Sequence, residues 1–117
     1  MLRAPDWVNV IPLLAGGEVV LVRQWRYGTA APTLEIPGGM VEAESEREAA
    51  ERELLEETGY RARSWRRLGE VHPNPAFLTN RCGTWLATDL ERVECNLRSN
   101  MLTHVLDMLG HSHRGIQ

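Results

Sequence analysis

The first part of the chain alternates between apolar runs and turn residues. The run "WVNVIPLLA" (7–15) is apolar and β-branched, and "EVVLVRQWR" (18–26) follows it after the pair Gly16 and Gly17. Two such runs on either side of a glycine pair predict a β-hairpin. The polar and small residues of 27–32 then predict a loop.

A short strand is predicted next, over "TLEI" (33–36). Pro37 ends this strand, because proline cannot donate a hydrogen bond to a strand ladder. Gly38 and Gly39 follow directly, and glycine permits a sharp turn of the backbone.

A long helix is predicted after this turn. Ser45 followed by Glu48 has the spacing of a capping box, so Ser45 is the expected N-cap. Gly59 suits the left-handed residue that ends a helix. The apolar side of the helix is expected to consist of Ala49, Ala50, Leu54 and Leu55.

The second half predicts two more strands and a second helix. Extended character resumes over 61–71, a loop with two prolines covers 72–81, and "CGTWLATDL" (82–90) is a strand. The apolar spacing over 97–109 fits a helix with one buried face, and we expect the tail after it to be frayed. Strands and helices therefore alternate, which predicts one α/β domain over residues 1–117, with helices covering a mixed sheet.

Composition and charge exclude some classes of protein. The chain has 117 residues and a net charge of −3. We therefore expect no nucleic-acid partner, and without a long apolar run we expect no membrane span. The start of the chain has no visible secretory signal, which predicts a cytoplasmic location with Cys82 and Cys95 reduced.

The acidic residues are concentrated in one part of the chain. Eight of the 16 acidic residues lie between Glu42 and Glu57. On a helix, Glu53, Glu56 and Glu57 share one face, where like charges destabilise the helix. A hard divalent cation, Mg²⁺ or Mn²⁺, would relieve this repulsion because it prefers oxygen ligands. A solvated acidic helix face is the alternative interpretation.

This cluster belongs to a longer pattern. Gly38, Glu44 and "RELLEETGY" (52–60) stand at the spacing that resembles the signature of the Nudix hydrolase family. The flanking segments "LVRQWRYG" and "TLEIPGG", together with Pro75, resemble the ADP-ribose pyrophosphatase branch of that family. The resemblance implies a Nudix-like α/β/α sandwich with a mixed β-sheet, and we expect its C-terminal part to be shortened.

The resemblance also implies roles for individual residues. Glu53, Glu56 and Glu57 would bind the divalent ions, with the Gly38 carbonyl as a backbone ligand. Arg52 and Glu44 would hold the loop and the helix in register.

Substrate contacts are expected from residues outside the helix. Arg23, Arg26 and Pro75 would contact the substrate, although the two arginines fit a polar strand face equally well. Trp25 and Tyr27 could stack on a base, but packing in the core or in a dimer is the stronger interpretation.

The catalytic base is the least determined role. The acidic loop that usually supplies it in this branch has no clear counterpart here. Glu91 and Glu94 are the candidates, with Glu53 as the alternative, and surface charge is the competing interpretation for the first two.

The function implied is metal-dependent hydrolysis of a nucleoside diphosphate linked to another group. ADP-ribose, giving AMP and ribose 5-phosphate, is the expected small-molecule substrate, and a homodimer is the expected assembly. Two alternatives remain open: a nucleotide-binding Nudix module without catalysis, and a Nudix pyrophosphohydrolase for nucleoside triphosphates or sugar nucleotides.

Overall fold

The chain forms eight strands and one helix in the part that the structure describes. The computed structural model describes residues 5–26, 31–72, 80–93, 102–107 and 112–113, with the backbone alone for 25–26 and for the last two ranges. The elements are β1 (Trp7–Pro12), β2 (Glu18–Arg26), β3 (Ala31–Glu35), β4 (Gly38–Met40), α1 (Glu46–Thr58), β5 (Tyr60–Val71), β6 (Cys82–Arg92), β7 (Leu102–Asp107) and β8 (Ser112–His113).

These strands are arranged in two four-stranded sheets. The first has the order β4-β1-β6-β5 and is mixed, because β1 and β6 run parallel while the other pairs are antiparallel. The second has the order β3-β2-β7-β8 and is antiparallel throughout. The predicted α/β class with a mixed sheet is therefore confirmed.

The predicted helix over 97–109 is wrong where the structure describes that segment. Residues 102–107 form strand β7, which pairs with β2 from Glu18–Asp107 to Arg23–Leu102. The ladder satisfies backbone groups that β2 would otherwise leave unpaired along its edge, and the β-branched Thr103 and Val105 suit a strand. Ser112 and His113 add the short strand β8, so the prediction of a frayed tail is wrong at these two residues.

The predicted hairpin is correct in its turn and wrong in its pairing. The chain reverses at Gly17, which has a left-handed φ of 89°, and an isolated bridge joins Leu13 to Val19. Beyond that bridge, β1 and β2 belong to different sheets. Pro12 cannot donate a hydrogen bond and ends β1, while β4 and β6 occupy the two edges of that strand.

The predicted sharp turn at Gly38 and Gly39 is also wrong, because both residues lie in strand β4. They pair with Asn9 and Val8 of β1, and neither has a left-handed backbone. Glycine is required at Gly38 for another reason: a Cβ there would lie 2.5 Å from the carbonyl oxygen of Val8.

Helix α1 begins and ends as predicted. Ser45 Oγ accepts from the Glu48 backbone N–H at 3.2 Å, and Glu48 Oε1 accepts from the Ser45 N–H at 3.1 Å, which completes the capping box. Gly59 has a left-handed φ of 76° and donates to the Leu55 carbonyl. Within the described residues, no helix is both long enough and apolar enough to span a membrane.

The hydrophobic core lies where α1 packs on the first sheet. Ala49, Ala50 and Leu54 of the helix are fully buried against Val8 and Val10 of β1. The alternating burial of β1 turns Trp7 and Asn9 to the opposite face of the sheet. The two faces of β1 therefore separate the core from a second surface, which carries polar residues and a partly exposed tryptophan.

Glu46, the first residue of α1, ties the helix start to the first sheet. Its carboxylate accepts from Arg67 Nε at 2.7 Å and from Trp85 Nε1 at 2.7 Å. The Arg67 hydrogen bond lowers the pKa of the Glu46 carboxyl below its ordinary value. The charged form is therefore the form that stabilises the fold.

We expect Glu46→Gln to lower the free energy of unfolding at pH 7 by about 1–2 kcal/mol, because one charge-assisted contact is lost. The pKa of Glu46 is lowered in the folded state. The difference in free energy of unfolding between parent and variant is therefore full above the ordinary pKa of 4.5, and it disappears as the pH falls through the lowered pKa of the folded state. Urea unfolding at several pH values measures this. The control is Glu51→Gln, at an exposed pair with Arg47; an equal loss in both variants would contradict the account.

Candidate functional site

A cleft of about 330 Å³ opens beside β4, between the two sheets and the acidic helix. Four carboxylates line it: Glu35 from the end of β3, Glu42 from the loop after β4, and Glu53 and Glu57 from α1. The remaining lining residues are Trp7, Asn9, Gln24, Ile36, Gly38, Gly39 and Met40. The cleft therefore has a strongly acidic wall, and the described residues that line it include no basic side chain.

Glu53 and Glu57 are buried although they are acidic. Their exposed fractions are 3% and 1%. A buried carboxylate is costly unless hydrogen bonds or opposite charges compensate it. Glu57 Oε2 accepts the backbone N–H of Gly38 at 2.9 Å, and Glu53 Oε2 accepts from Arg52 Nη1 at 2.8 Å. Each carboxylate is thus held by at least one well-directed donor.

Arg52 connects the helix to the loop that precedes it. Its guanidinium donates to Glu44 Oε1 through Nε at 3.0 Å and through Nη2 at 2.6 Å, and Nη2 also donates to the Met40 carbonyl at 3.0 Å. It lies 3.7 Å from Glu56 as well. One side chain therefore joins the end of β4, the loop and Glu53. The role in holding the loop and the helix in register stays a prediction for Arg52 and Glu44.

The electrostatics of this pair keep it charged. Hydrogen bonds from the Glu44 backbone and then from Arg52 lower the pKa of the Glu44 carboxyl. The hydrogen bond to Glu44 raises the pKa of Arg52. Both groups of this ion pair are consequently charged across the neutral range.

The absence of a side chain at Gly39 is what allows Glu53 to lie against β4. A Cβ at this position would overlap the carboxyl group of Glu53. Gly39 pairs with Val8 in the ladder to β1, so the strand cannot move away without losing that pairing. The two glycines thus bring the backbone close to Glu53 and Glu57, the two buried acidic residues of the helix.

The cleft has the donor set of a hard divalent cation site. Its carboxylate oxygens are the ligand type that Mg²⁺ and Mn²⁺ prefer. In the described part of the chain, no three His, Cys, Asp or Glu side chains lie close enough to enclose an ion by themselves. Mg²⁺ commonly takes one or two protein carboxylates and completes its shell with water and phosphate oxygens.

The other predicted site residues have different positions. Glu56 is partly exposed beside Arg52 and does not line the cleft. Arg23 is exposed on β2 and points away from the cleft, which its neighbour Gln24 lines. The side chains of Trp25 and Arg26, and the residues Tyr27, Pro75 and Glu94, lie outside what the structure describes. Their predicted roles, like that of the Gly38 carbonyl, stay predictions.

Glu91, a candidate base, lies on β6 away from the cleft lining. It pairs with Arg63 at 3.2 Å on the exposed surface of the first sheet. This contact agrees with the alternative interpretation of Glu91 as a surface charge.

Sequence analysis missed several residues that line the cleft. Gln24 stands two residues after the buried Val22 on the same face of β2, and Glu35 directly precedes the segment "IPGG". The alternation of β2 was a usable signal for Gln24. Trp7 and Asn9 gave no such signal, because their place depends on β1 pairing with β4 and not with β2.

Comparison with known proteins identifies this arrangement. The family profile described as "NUDIX domain" matches residues 5–97. The ADP-ribose pyrophosphatase of Bacillus subtilis (strain 168) is 32% identical over 95 residues, which are 80% of this chain and 51% of that protein. The methanol dehydrogenase activator of Bacillus methanolicus is 33% identical, with the same coverage. The chain thus spans about half the length of these curated relatives.

The fold is also shared with a solved structure. The crystal structure of an ADP compounds hydrolase superposes with a TM-score of 0.79 at 23% identity, covering 89% of this chain and 57% of the other. At this identity the similarity establishes the fold alone.

We expect Gly39→Ala to destabilise the fold by about 1–3 kcal/mol, because the added methyl group overlaps the Glu53 carboxyl in a packed wall. Thermal unfolding of parent and variant measures this. The control is Gly16→Ala, where a Cβ would meet its nearest atom, Glu18 Oε1, at an ordinary 3.6 Å. Equal unfolding temperatures for Gly39→Ala and the parent would show that β4 and the helix are not in the close contact described.

Proposed function

The chain belongs to the Nudix family, and from this premise we propose that it hydrolyses the diphosphate linkage of a nucleoside diphosphate derivative. ADP-ribose is the proposed substrate, with AMP and ribose 5-phosphate as products. The observation that carries the proposal is the pair of buried carboxylates, Glu53 and Glu57, in the wall of an acidic cleft. The similarity to the ADP-ribose pyrophosphatase supports the choice of substrate.

The proposed cofactor is Mg²⁺ or Mn²⁺, held by Glu53 and Glu57. When bound, such an ion neutralises the phosphates and lowers the pKa of a coordinated water. The protein's own contribution is to orient these carboxylates. Arg52 fixes Glu53, and the Gly38 N–H fixes Glu57, so the acidic wall is in place before substrate binds.

Glu56 and the Gly38 carbonyl complete the proposed metal site. Glu56 lies one residue before Glu57, and its carboxylate is 3.7 Å from the Arg52 guanidinium that also contacts Glu53. The roles of Arg23, Arg26 and Pro75 as substrate contacts are kept as part of the proposal.

A carboxylate must accept the proton of the attacking water. Glu91 is engaged with Arg63 outside the cleft lining, whereas Glu53 lines the cleft. We therefore propose Glu53 as the base that accepts this proton. Glu94, which lies outside the described residues, is the alternative. The contact with Arg52 holds the Glu53 carboxylate in one orientation toward the cleft.

One similarity supports testing the alternative functions as well. The methanol dehydrogenase activator is as similar to this chain as the ADP-ribose pyrophosphatase is. A substrate panel of ADP-ribose, a nucleoside triphosphate and a sugar nucleotide, with and without divalent metal, separates the alternatives. Binding of ADP-ribose without turnover of any substrate would favour a nucleotide-binding module. The homodimer and the cytoplasmic location stay predictions of the sequence analysis.

We expect Glu57→Gln to lower kcat/KM for ADP-ribose by roughly 100-fold or more at saturating Mg²⁺, because a neutral amide is a poor ligand for a hard cation. Release of AMP measures the rate. The control is Glu51→Gln on the same helix, whose carboxylate pairs with Arg47 and lies outside the cleft lining. Parent activity in both variants would refute the assignment of the site.

A further inference from the structure

Trp7 and Met40 form an exposed apolar pair at the acidic cleft. They are register partners in the antiparallel ladder between β1 and β4, and both line the cleft. Their exposed fractions are 42% and 45%, among the largest for bulky apolar residues in the described part of the chain. An exposed tryptophan forgoes much of the free energy that its burial would give, so a ligand that covers it gains that free energy.

The chain holds this pair in a fixed position. The backbone of Trp7 donates to the Arg81 carbonyl at 2.8 Å, and β1 is paired on both edges, by β4 and by β6. The Met40 carbonyl accepts from Arg52 Nη2 at 3.0 Å. Because Arg52 also binds Glu53, the apolar pair and the acidic wall are parts of one rigid unit.

The chemistry of the cleft indicates what would cover the pair. Phosphates can approach the four lining carboxylates only together with cations, whereas an uncharged planar ring gains nothing from that wall. The ring is therefore expected at Trp7 and Met40, which form the apolar end of the same cleft. Tryptophan stacks on flat aromatic rings, and methionine sulfur makes favourable contacts with them.

We propose that Trp7, with Met40 beside it, is the surface on which the base of the nucleotide substrate stacks. The proposal rests on the proposed function, since the diphosphate must occupy the acidic end of the cleft. It assigns base recognition to the start of β1. The two aromatic residues considered from the sequence, Trp25 and Tyr27, are not needed for it.

The first test compares steady-state kinetics on ADP-ribose with Mg²⁺. Trp7→Ala is expected to raise KM about tenfold with kcat changed less than about threefold, because stacking contributes to binding and not to the chemical step. Trp7→Phe should keep most of the affinity, since it keeps an aromatic face. The control is Leu34→Ala, which removes an apolar residue of similar exposure, 45%, that does not line the cleft.

A KM for Trp7→Ala equal to that of the parent, or an equal increase for Leu34→Ala, would overturn the stacking proposal while leaving the hydrolase proposal intact. If the alanine variant does not fold, the quenching of tryptophan emission by ADP-ribose, compared between the parent and Trp7→Phe, keeps the proposal testable. Replacement of Met40 by alanine should give a smaller rise in KM than Trp7→Ala.

Tryptophan fluorescence tests the stacking proposal even if the parent binds ADP-ribose without hydrolysing it. Titration with ADP-ribose and Mg²⁺ should quench tryptophan emission in the parent, and Trp7→Phe should remove most of that quenching. The chain has four tryptophans, so the difference between the two proteins isolates Trp7. Equal quenching in both, or none in the parent, would overturn the proposal.

Discussion

The burial of two negative charges, on Glu53 and Glu57, is the constraint on which the rest of the structure depends. A carboxylate removed from water must find donors at close range, or its burial destabilises the fold. The donors come from two directions: the backbone N–H of Gly38 and the guanidinium of Arg52. Strand β4 must therefore lie directly against α1, which only glycine at position 39 permits.

The same constraint organises the cleft. Strand β4 lies against the helix and pairs with β1, and Trp7 and Asn9 on the polar face of β1 line the cleft. Glu35 and Gln24 then close the cleft from the β3 and β2 side. Arg52 fixes the loop after β4 through Glu44 and Met40, so the acidic wall and the apolar end are aligned by one side chain. The residues of the Nudix signature thus account for the burial of Glu53 and Glu57 in the cleft wall.

Local signals predicted the elements that local chemistry determines. The capping box at Ser45 and the left-handed Gly59 fixed both ends of α1, and the apolar runs located β1, β2, β5 and β6. Long-range pairing was not predictable in the same way. The glycine pair at 38–39 has the composition of a turn, but in the structure it lets β4 lie close to β1 and α1. Residues 102–107 have the apolar spacing of a helix, but they pair with β2 as a strand. Trp7 lies in the site because of the register of β1 with β4, and no local pattern in the sequence predicts that register.

The central claim is that the buried carboxylates exist to hold a divalent cation. Calorimetric titration of Mn²⁺ into the parent, Glu57→Gln and Glu51→Gln tests it without reference to any substrate. The account predicts that the parent and Glu51→Gln bind Mn²⁺ with the same Kd, and that Glu57→Gln binds at least about tenfold more weakly, because a ligand oxygen loses its charge. The same Kd in all three proteins, or no binding by the parent, would contradict it.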